Sequence, residues 1–236
     1  HEHHVGHAAA AFYNSGFKDA VAVIVDGCGT CKEIQVSDEG DKNTGFETET
    51  IFDCNYGTGI NVVFQSFGGN YDTQRVISPK IEMDSAITIV KAYESVSEYL
   101  GFGFIEAGKT MGLAPYGKKD ELIPPLFYGG RGNKNVFVPY YPMGAYFDHT
   151  RHPYLTLHED PRAWHKDASK VTDAAKNLAW SVQDYTQRLV GDLIEKSVKM
   201  TGKKNIVIAG GYGLNCVAHY YYQKRFPNLN IYVDPI

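Results

Sequence analysis

Two β-branched runs, each followed directly by a glycine-rich turn, constrain the fold of this chain most strongly. The first run is Asp19 to Asp26, with Gly27-Cys28-Gly29 behind it, and the second is Asn205 to Ala209, with the turn Gly210 to Asn215 behind it. Both runs have the length and composition of buried strands. Open α/β folds place ligand contacts after the carboxyl ends of such strands. The two turns are therefore candidates for ligand contact, and an ordinary hairpin turn is the alternative interpretation of Asp26 to Gly29.

The residues around these runs predict further helices and strands. Helices are predicted at 3–13, Asp84 to Leu100, Thr172 to Thr201 and Cys216 to Arg225, and further strands at Lys32 to Val36, Glu47 to Phe52 and Ile231 to Val233. Ser37 to Gly45 is predicted to be a polar loop, and the glycine-rich region Asn55 to Pro79 is predicted to have little regular structure. The order helix, strand, helix, strand from Thr172 onward is typical of a parallel α/β layer.

The opening segment places four histidines within seven residues, directly before an alanine-rich run. If residues 3–13 form one helix, His3 and His7 share a face, as two ligands of one divalent ion must, whereas His4 points elsewhere. The remnant of a purification tag is the competing interpretation, and the merging of the histidines into an apolar helix argues against it. A metalloprotease motif is excluded, because Val5 stands where its second histidine is required. The sequence predicts a metal-binding pair that lacks a third ligand.

Composition and charge narrow the class of protein. The 236 residues are 43% hydrophobic and 21% charged, with a net charge of −4, which is ordinary for a globular protein and gives no general attraction to nucleic acid. The apolar runs fall far short of the roughly 20 residues that a membrane span needs. Four scattered cysteines make a disulfide framework improbable, so a reducing, cytoplasmic location is expected. Cys28 and Cys31 form one C-x-x-C pair, for which redox or zinc chemistry stays an open alternative.

The two glycine turns can bring the backbone close to a phosphate. Glycine has no side chain to block the approach, and amides of the turn or of the following helix can donate hydrogen bonds to phosphate oxygens. Asp26, at the end of its strand, is suited to holding a metal-bound phosphate, or alternatively to hydrogen-bonding its own turn. Neither the Walker lysine pattern nor G-x-G-x-x-G is present, so the turns alone do not identify a ligand.

Four segments, in order along the chain, resemble the O-carbamoyltransferases, a family that includes nodulation protein U and the tobramycin and cephalosporin carbamoyltransferases. The segments are HHVGHAAAAFY at 3–13, VDGCG at 25–29, YLGF through MGLAPYG at 99–117, and AGGYGLNCVA at 209–218. Together they span nearly the whole chain. The last two are specific enough to make chance agreement in this order improbable.

The resemblance implies an α/β fold of the actin-like ATPase, ribonuclease H-like kind, incomplete in this chain, with mixed sheets flanked by helices. In that family a carbamoyl-adenylate, made from carbamoyl phosphate and ATP in a separate YrdC-like domain, passes its carbamoyl group to a substrate hydroxyl. The chain opens at histidine rather than methionine and lacks the family's opening strand, a later aspartate ligand and the YrdC-like domain. It is therefore expected to be a core fragment of an ATP-dependent carbamoyltransferase, inactive alone.

The resemblance also implies roles for individual residues. His3 and His7 match metal ligands, commonly for iron as Fe2+; Asp26, Gly27 and Gly29 match a phosphate-side turn; Gly210, Gly211, Gly213 and Asn215 match a turn that lies against adenosine. Lys109 is a candidate for a further positive charge in catalysis, or else a solvated surface lysine. Asn215 can equally be a helix cap.

The resemblance also implies a domain organisation and a set of partners. Residues 1–118 are expected to be the remainder of a first lobe with the metal helix and phosphate turn, 119–170 an irregular insertion, and 171–236 part of a second lobe. The expected partners are a small-molecule hydroxyl acceptor and the YrdC-like domain. Binding to a membrane or to nucleic acid is not expected, and formation of a homodimer is left open. Two alternatives remain: a non-catalytic nucleotide-binding module of the actin-like fold, and a relative of the tRNA threonylcarbamoyladenosine proteins, which the negative net charge disfavours.

Overall fold

The computed structural model describes residues 2–69, 75–85, 88–121, 123, 126, 137–139, 145–147 and 171–235. Among these residues the helices are α1 (His3–Ser15), α2 (Ile89–Tyr99), α3 (Ala107–Leu113), α4 (Asp173–Thr201) and α5 (Cys216–Arg225). The strands are β1 (Asp19–Val25), β2 (Cys31–Gln35), β3 (Lys42–Asn55), β4 (Gly59–Gly69), β5 (Arg75–Ser78), β6 (Ile81–Ser85), β7 (Phe137–Pro139), β8 (Ala145–Phe147), β9 (Asn205–Ala209) and β10 (Asn230–Val233). Short 3-10 turns lie at Phe104–Glu106, Ala114–Tyr116 and Gly211–Leu214.

One mixed sheet of eight strands organises the described part of the chain. Its order is β10-β9-β1-β3-β4-β6-β5, with β2 paired to β3 beside this path, while β7 and β8 form a separate two-stranded sheet. Strand β9 runs parallel to both β1 and β10, whereas β1, β3 and β4 are antiparallel neighbours. Strands from the predicted 1–118 and 171–236 segments therefore share one sheet, and the division into lobes stays a prediction.

Strand β1 is buried on both of its faces, which explains its unbroken apolar sequence. Alternate residues point to opposite sides of the sheet. Val21, Val23 and Val25 face a core formed with α2, α4 and α5, whereas Ala20, Ala22 and Ile24 face a smaller core formed with α1. The sheet is thus flanked by helices on both faces.

The helices begin and end at residues that the sequence marks. The Thr172 side chain accepts a hydrogen bond from the amide of Ala175 and so caps the start of α4. Helices α1 and α4 end at Gly16 and Gly202, which take left-handed backbone angles with φ of 74° and 71°. These signals account for the close agreement between the predicted and observed bounds of α4.

Three predictions about regular structure were wrong. Residues 55–79 contain β4 and β5 instead of an irregular region, because pairing with β3 and β6 stabilises a segment whose glycines obscure its strand pattern. The helix predicted from Asp84 begins only at Ile89, since Asp84 and Ser85 end β6 and Thr88 caps α2. The predicted loop to Gly45 is also shorter, because β3 begins at Lys42. Most of the predicted insertion 119–170 lies outside the described residues.

Candidate functional site

The two predicted glycine turns meet at one edge of the sheet. Strands β1 and β9 are parallel neighbours, so their carboxyl ends lie side by side. The amide of Gly211 donates a hydrogen bond to Asp26 Oδ1 at 3.2 Å and joins the two turns. Gly210 has φ of 89°, and a methyl group on it would lie 2.4 Å from the carbonyl oxygen of Val25. Glycine is therefore required at Gly210 both for its backbone angle and for the close approach of the strands.

Two histidines and a carboxylate converge beside these turns. His3 Nε2 lies 2.6 Å from Asp26 Oδ2 and 3.1 Å from His7 Nε2, and His7 Nε2 lies 3.6 Å from the same Asp26 oxygen. Donor atoms bound at about 2.1 Å from one ion would stand roughly 3 Å apart, so this arrangement is close to a ligand set. Asp26 is a candidate for the third ligand that the sequence pattern lacked.

The start of α1 is fixed by the turn that follows β1. The backbone amide of His3 donates to Thr30 Oγ1 at 2.9 Å. The Lys32 ammonium lies between Glu2, at 3.2 Å, and the buried Glu47, at 2.9 Å. Because these contacts connect the first residues of α1 to β2 and β3, the His3 ring is positioned over the end of β1.

Hydrogen bonds keep the Asp26 carboxylate ionised. Burial alone would raise the pKa of Asp26, but hydrogen bonds from His7, from the amides of Gly27 and Gly211, and from His3 hold it well below its usual range. The same contact with Asp26 raises the pKa of His7 above its ordinary value, despite partial burial. Asp26 is therefore an anion near neutral pH, as a metal ligand must be.

His4 takes no part in this cluster. It is fully buried, and its Nδ1 lies 2.7 Å from Thr50 Oγ1 on β3. Burial lowers the pKa of His4 to about 4, so the imidazole is neutral. A methyl group on Gly29 would lie 2.8 Å from the His4 ring, and so this turn glycine is needed for the close packing of the helix against the turn.

The amides of the turn glycines donate hydrogen bonds within the protein. Those of Gly27 and Gly211 donate to Asp26 Oδ1, at 2.8 and 3.2 Å. Those of Gly29 and Gly213 donate to the carbonyl oxygens of Glu47 and Gly210, at 2.7 and 2.8 Å. Asp26 therefore hydrogen-bonds its own turn through Oδ1, as one of the two sequence interpretations predicted, while Oδ2 faces the histidines. Its role toward a metal-bound phosphate stays a prediction. The predicted role of these glycines in phosphate binding stays a prediction.

A cavity of about 500 Å³ opens beside the three converging side chains. His3, Asp26 and Gly27 form one part of its wall, and the turn after β9 contributes a second part that includes Gly211 and Asn215. Apolar residues from the α3 side, among them Ile105, Ala107 and Met111, and residues of α2 also line it. The volume falls within the range of small-molecule sites.

Asn215 caps α5 and also belongs to a buried polar network. Its Oδ1 accepts a hydrogen bond from the Ala218 amide at 3.1 Å, and its Nδ2 donates to Gln183 Oε1 at 3.0 Å. Tyr93 donates to the same Gln183 oxygen at 2.9 Å. The predicted cap is therefore present, and the network fixes the cavity wall to α2 and α4.

Lys109 lies at the surface of the protein, as one of the two sequence interpretations allowed. Lys109 is 53% exposed and pairs with Glu106 at 2.5 Å, and it is not among the residues that line the cavity. Its catalytic role stays a prediction.

Lys91, which the sequence analysis did not single out, is fully buried in the cavity wall and donates to Glu94 at 3.1 Å. A lysine three residues before a glutamate on an apolar helix stripe was the available signal.

The cysteines do not form a disulfide. All four lie within the described residues, and none is joined to another. Cys28 lines the cavity, and burial raises the pKa of its thiol. The C-x-x-C pair is therefore a pair of thiols, of which Cys28 lines the cavity and Cys31 lies at the start of β2.

The mixed sheet with helices on both faces and a cavity at the strand ends defines an α/β domain of the actin-like, ribonuclease H-like kind. A crystal structure of full-length HypF in the phosphate- and nucleotide-bound form has the same fold, with a TM-score of 0.50 and 12% identity, over 99% of this chain and 39% of that one. At this identity the likeness concerns the fold alone.

The family follows from the sequence as a whole. The family model for the carbamoyltransferase N-terminus matches residues 1–236, and the chain belongs to this family. The predicted fold class and the predicted family are both confirmed.

Three curated relatives are similar over most of this chain. An uncharacterized protein of Synechocystis, sll1178, is 26% identical over 240 residues, which cover 99% of this chain and 33% of the relative. Nodulation protein NolNO of Sinorhizobium fredii is 25% identical, over 91% of this chain and 25% of the relative. Nodulation protein NolO of Bradyrhizobium diazoefficiens is 23% identical, over 91% of this chain and 31% of the relative. The chain thus spans a quarter to a third of the length of these relatives.

None of the helices in the described part of the chain combines the length and the apolar character that crossing a bilayer requires.

Proposed function

We propose that this domain binds a divalent metal ion and the adenylate part of a carbamoyl-adenylate, and transfers the carbamoyl group to a hydroxyl of a small molecule. The observation that carries the proposal is the convergence of His3, His7 and Asp26, whose ligand atoms lie within 4.8 Å of one another, at the edge of a cavity large enough for a ligand. Membership of the carbamoyltransferase family supports the reaction class.

The donor set fits a transition metal of the kind expected. Two imidazoles and one carboxylate on one side of an ion are the ligand set of non-haem iron(II) sites, with the remaining positions open. His3, His7 and Asp26 would hold Fe2+ here, with Asp26 already ionised and its second oxygen fixed by two amides. When bound, the ion would neutralise charge on a phosphate or carbamoyl oxygen.

The cavity wall supports a nucleotide as the second ligand. Residues of the turn after β9, including Gly211, Tyr212 and Asn215, line the cavity together with residues of α3. Apolar groups from Ile105 and Met111 suit a flat base, while the charged end at Asp26 suits the metal-bound phosphate. The crystal structure of HypF with phosphate and nucleotide bound is of a protein with the same fold, which is consistent with this assignment.

Carbamoyl phosphate and ATP are the proposed precursors, and a YrdC-like domain of the same full-length protein is the proposed source of the adenylate. A cytoplasmic location is part of the proposal, since four cysteines without a disulfide suit a reducing compartment. A small-molecule acceptor is proposed because the cavity, at about 500 Å³, suits a ligand of that size.

The experiment that tests this function measures transfer of labelled carbamoyl from carbamoyl phosphate by the full-length protein. Water and methanol serve as the smallest hydroxyl acceptors, and methyl carbamate is the product with methanol. We expect the formation of methyl carbamate to require ATP and a divalent ion. Its rate should fall at least about 100-fold in Asp26→Ala. Formation without ATP, or an unchanged rate in Asp26→Ala, would contradict the proposal.

A further inference from the structure

Two oppositely charged side chains on α2 lie in the cavity wall near the converging histidines. Lys91 and Glu94 are one helical turn apart, and the ammonium donates to Glu94 Oε2 at 3.1 Å. Glu94 also approaches the turn after β1, since a methyl group on Gly27 would lie 3.2 Å from Glu94 Oε1. The carboxylate thus stands beside the residue that follows Asp26.

Their different exposure decides which of the two groups faces a ligand. The Lys91 side chain is 0% exposed, whereas that of Glu94 is 16% exposed. A ligand in the cavity therefore meets the carboxylate, and the ammonium lies behind it. An O–H group of a ligand would find a hydrogen-bond acceptor in this carboxylate.

The buried lysine also explains why a carboxylate stands at this position. A fully buried ammonium without a counter-charge would cost several kcal/mol, and the contact with Glu94 at 3.1 Å supplies that counter-charge. A carboxylate offers acceptor oxygens, and it can take a proton from a group that donates to it. The pair therefore holds a proton acceptor in the wall of the cavity without adding net charge.

We propose that Glu94 is the general base that binds and deprotonates the acceptor hydroxyl, with Lys91 as the positioning residue that holds it. This inference rests on the proposed function. In the step, Glu94 takes the hydroxyl proton while the acceptor oxygen forms a bond to the carbamoyl carbon. The bond between that carbon and the adenylate phosphate oxygen breaks, and AMP leaves with the electron pair. Glu94 then releases the proton to solvent.

The test uses the full-length protein with carbamoyl phosphate, ATP and methanol as the acceptor probe. Methyl carbamate reports the transfer, and release of pyrophosphate reports formation of the adenylate, which needs no hydroxyl acceptor. In Glu94→Gln we expect methyl carbamate formation to fall at least about 100-fold, within the range of general-base catalysis, while pyrophosphate release changes less than about threefold. Formate should restore part of the transfer in Glu94→Ala, because it can replace the missing carboxylate.

Further variants separate catalysis from folding. Glu94→Gln leaves a buried ammonium unpaired, so the double variant Lys91→Met/Glu94→Gln removes both charges together and is expected to fold and to lack transfer. Lys91→Arg should retain more transfer than Lys91→Met. The matched control is Asp173→Asn/Lys176→Met, which removes an exposed pair of the same spacing on α4, at 3.0 Å, and should leave both reactions unchanged.

The outcomes distinguish the inference from the function on which it rests. If wild type forms methyl carbamate and the folded double variant forms it equally fast, Glu94 is not the base, and the proposed transferase stands. If wild type shows no ATP-dependent transfer to methanol or water, the proposed function is overturned and the assignment of Glu94 with it.

Discussion

His3 Nε2 lies 2.6 Å from Asp26 Oδ2, a contact between the first turn of α1 and the residue that follows β1. It joins segments 23 residues apart in sequence. His7 approaches the same oxygen at 3.6 Å from the next helical turn. One carboxylate oxygen is therefore shared by two imidazoles, while the other oxygen of Asp26 accepts hydrogen bonds from the turns.

The two oxygens of Asp26 can be tested separately. Asp26→Asn keeps an oxygen that can accept from the amides of Gly27 and Gly211, whereas Asp26→Ala keeps none. We expect both variants to lose metal affinity by at least about 100-fold, because a ligand is lost. The free energy of unfolding should fall further in Asp26→Ala than in Asp26→Asn, by about 1 to 3 kcal/mol, because the amides of Gly27 and Gly211 lose their acceptor.

Urea unfolding of the metal-free forms and titration with Fe2+ measure these two effects. Equal stability of the alanine and asparagine variants would show that the amides do not depend on Asp26. Asp173→Asn, at an exposed carboxylate on α4, is the control and should change neither quantity.

Gly210→Ala is expected to destabilise the protein by roughly 2 to 4 kcal/mol. The added methyl group would meet the Val25 carbonyl oxygen at 2.4 Å, and the residue would keep a left-handed backbone angle. Gly202→Ala is the matched control, because Gly202 has a similar φ of 71° with no atom within 4 Å of the added methyl group. It should cost only about 1 kcal/mol, and equal losses in urea unfolding would contradict the steric argument.

His219 predicts a pH dependence of stability. Burial lowers the pKa of His219 below its ordinary value of 6.5, although Nε2 donates a hydrogen bond to the Gly213 carbonyl oxygen at 2.6 Å. The unfolded chain then binds more protons than the folded one near pH 6, so this residue makes stability rise with pH through that region and fall as the pH drops below about 6.5.

The check compares urea unfolding between pH 5 and 8 for wild type and His219→Gln. The variant should show a shallower loss of stability on acidification. An identical slope in both proteins would show that His219 does not titrate differently on folding.

Lys109→Met distinguishes a catalytic lysine from a surface one. Because the ammonium is about half exposed and pairs with Glu106, we expect the free energy of unfolding to change by less than about 1 kcal/mol. Carbamoyl transfer should change less than about threefold, since a surface ion pair contributes little. A loss of about 100-fold with unchanged stability would support the catalytic role that the sequence suggested.

Local patterns were sufficient for part of this site. The spacing of His3 and His7 fixes one helix face, and the β-branched runs before the two glycine turns fix the ends of β1 and β9. The family motifs covered the same turns. These features depend on residues that are close in sequence, which is why they could be predicted.

The remaining features depend on tertiary packing. Asp26 becomes a candidate metal ligand only because α1 packs over the end of β1, and Glu94 reaches the cavity only because α2 lies against the turn at Gly27. Strand β4 was missed because its stability comes from pairing with β3 and β6 rather than from its own alternation. Sequence spacing contains no information on these approaches.

The most direct measurement of the central claim is the metal content of the full-length protein after chelation and reconstitution with Fe2+, compared with His3→Ala/His7→Ala. His219→Gln serves as the control for loss of a histidine elsewhere, and circular dichroism confirms folding. We predict that the wild type and the control each bind close to one equivalent of iron. The double variant should contain only as much iron as a chelator-treated sample, and it should also lose carbamoyl transfer. Full iron content and unchanged transfer in a folded double variant would contradict the account.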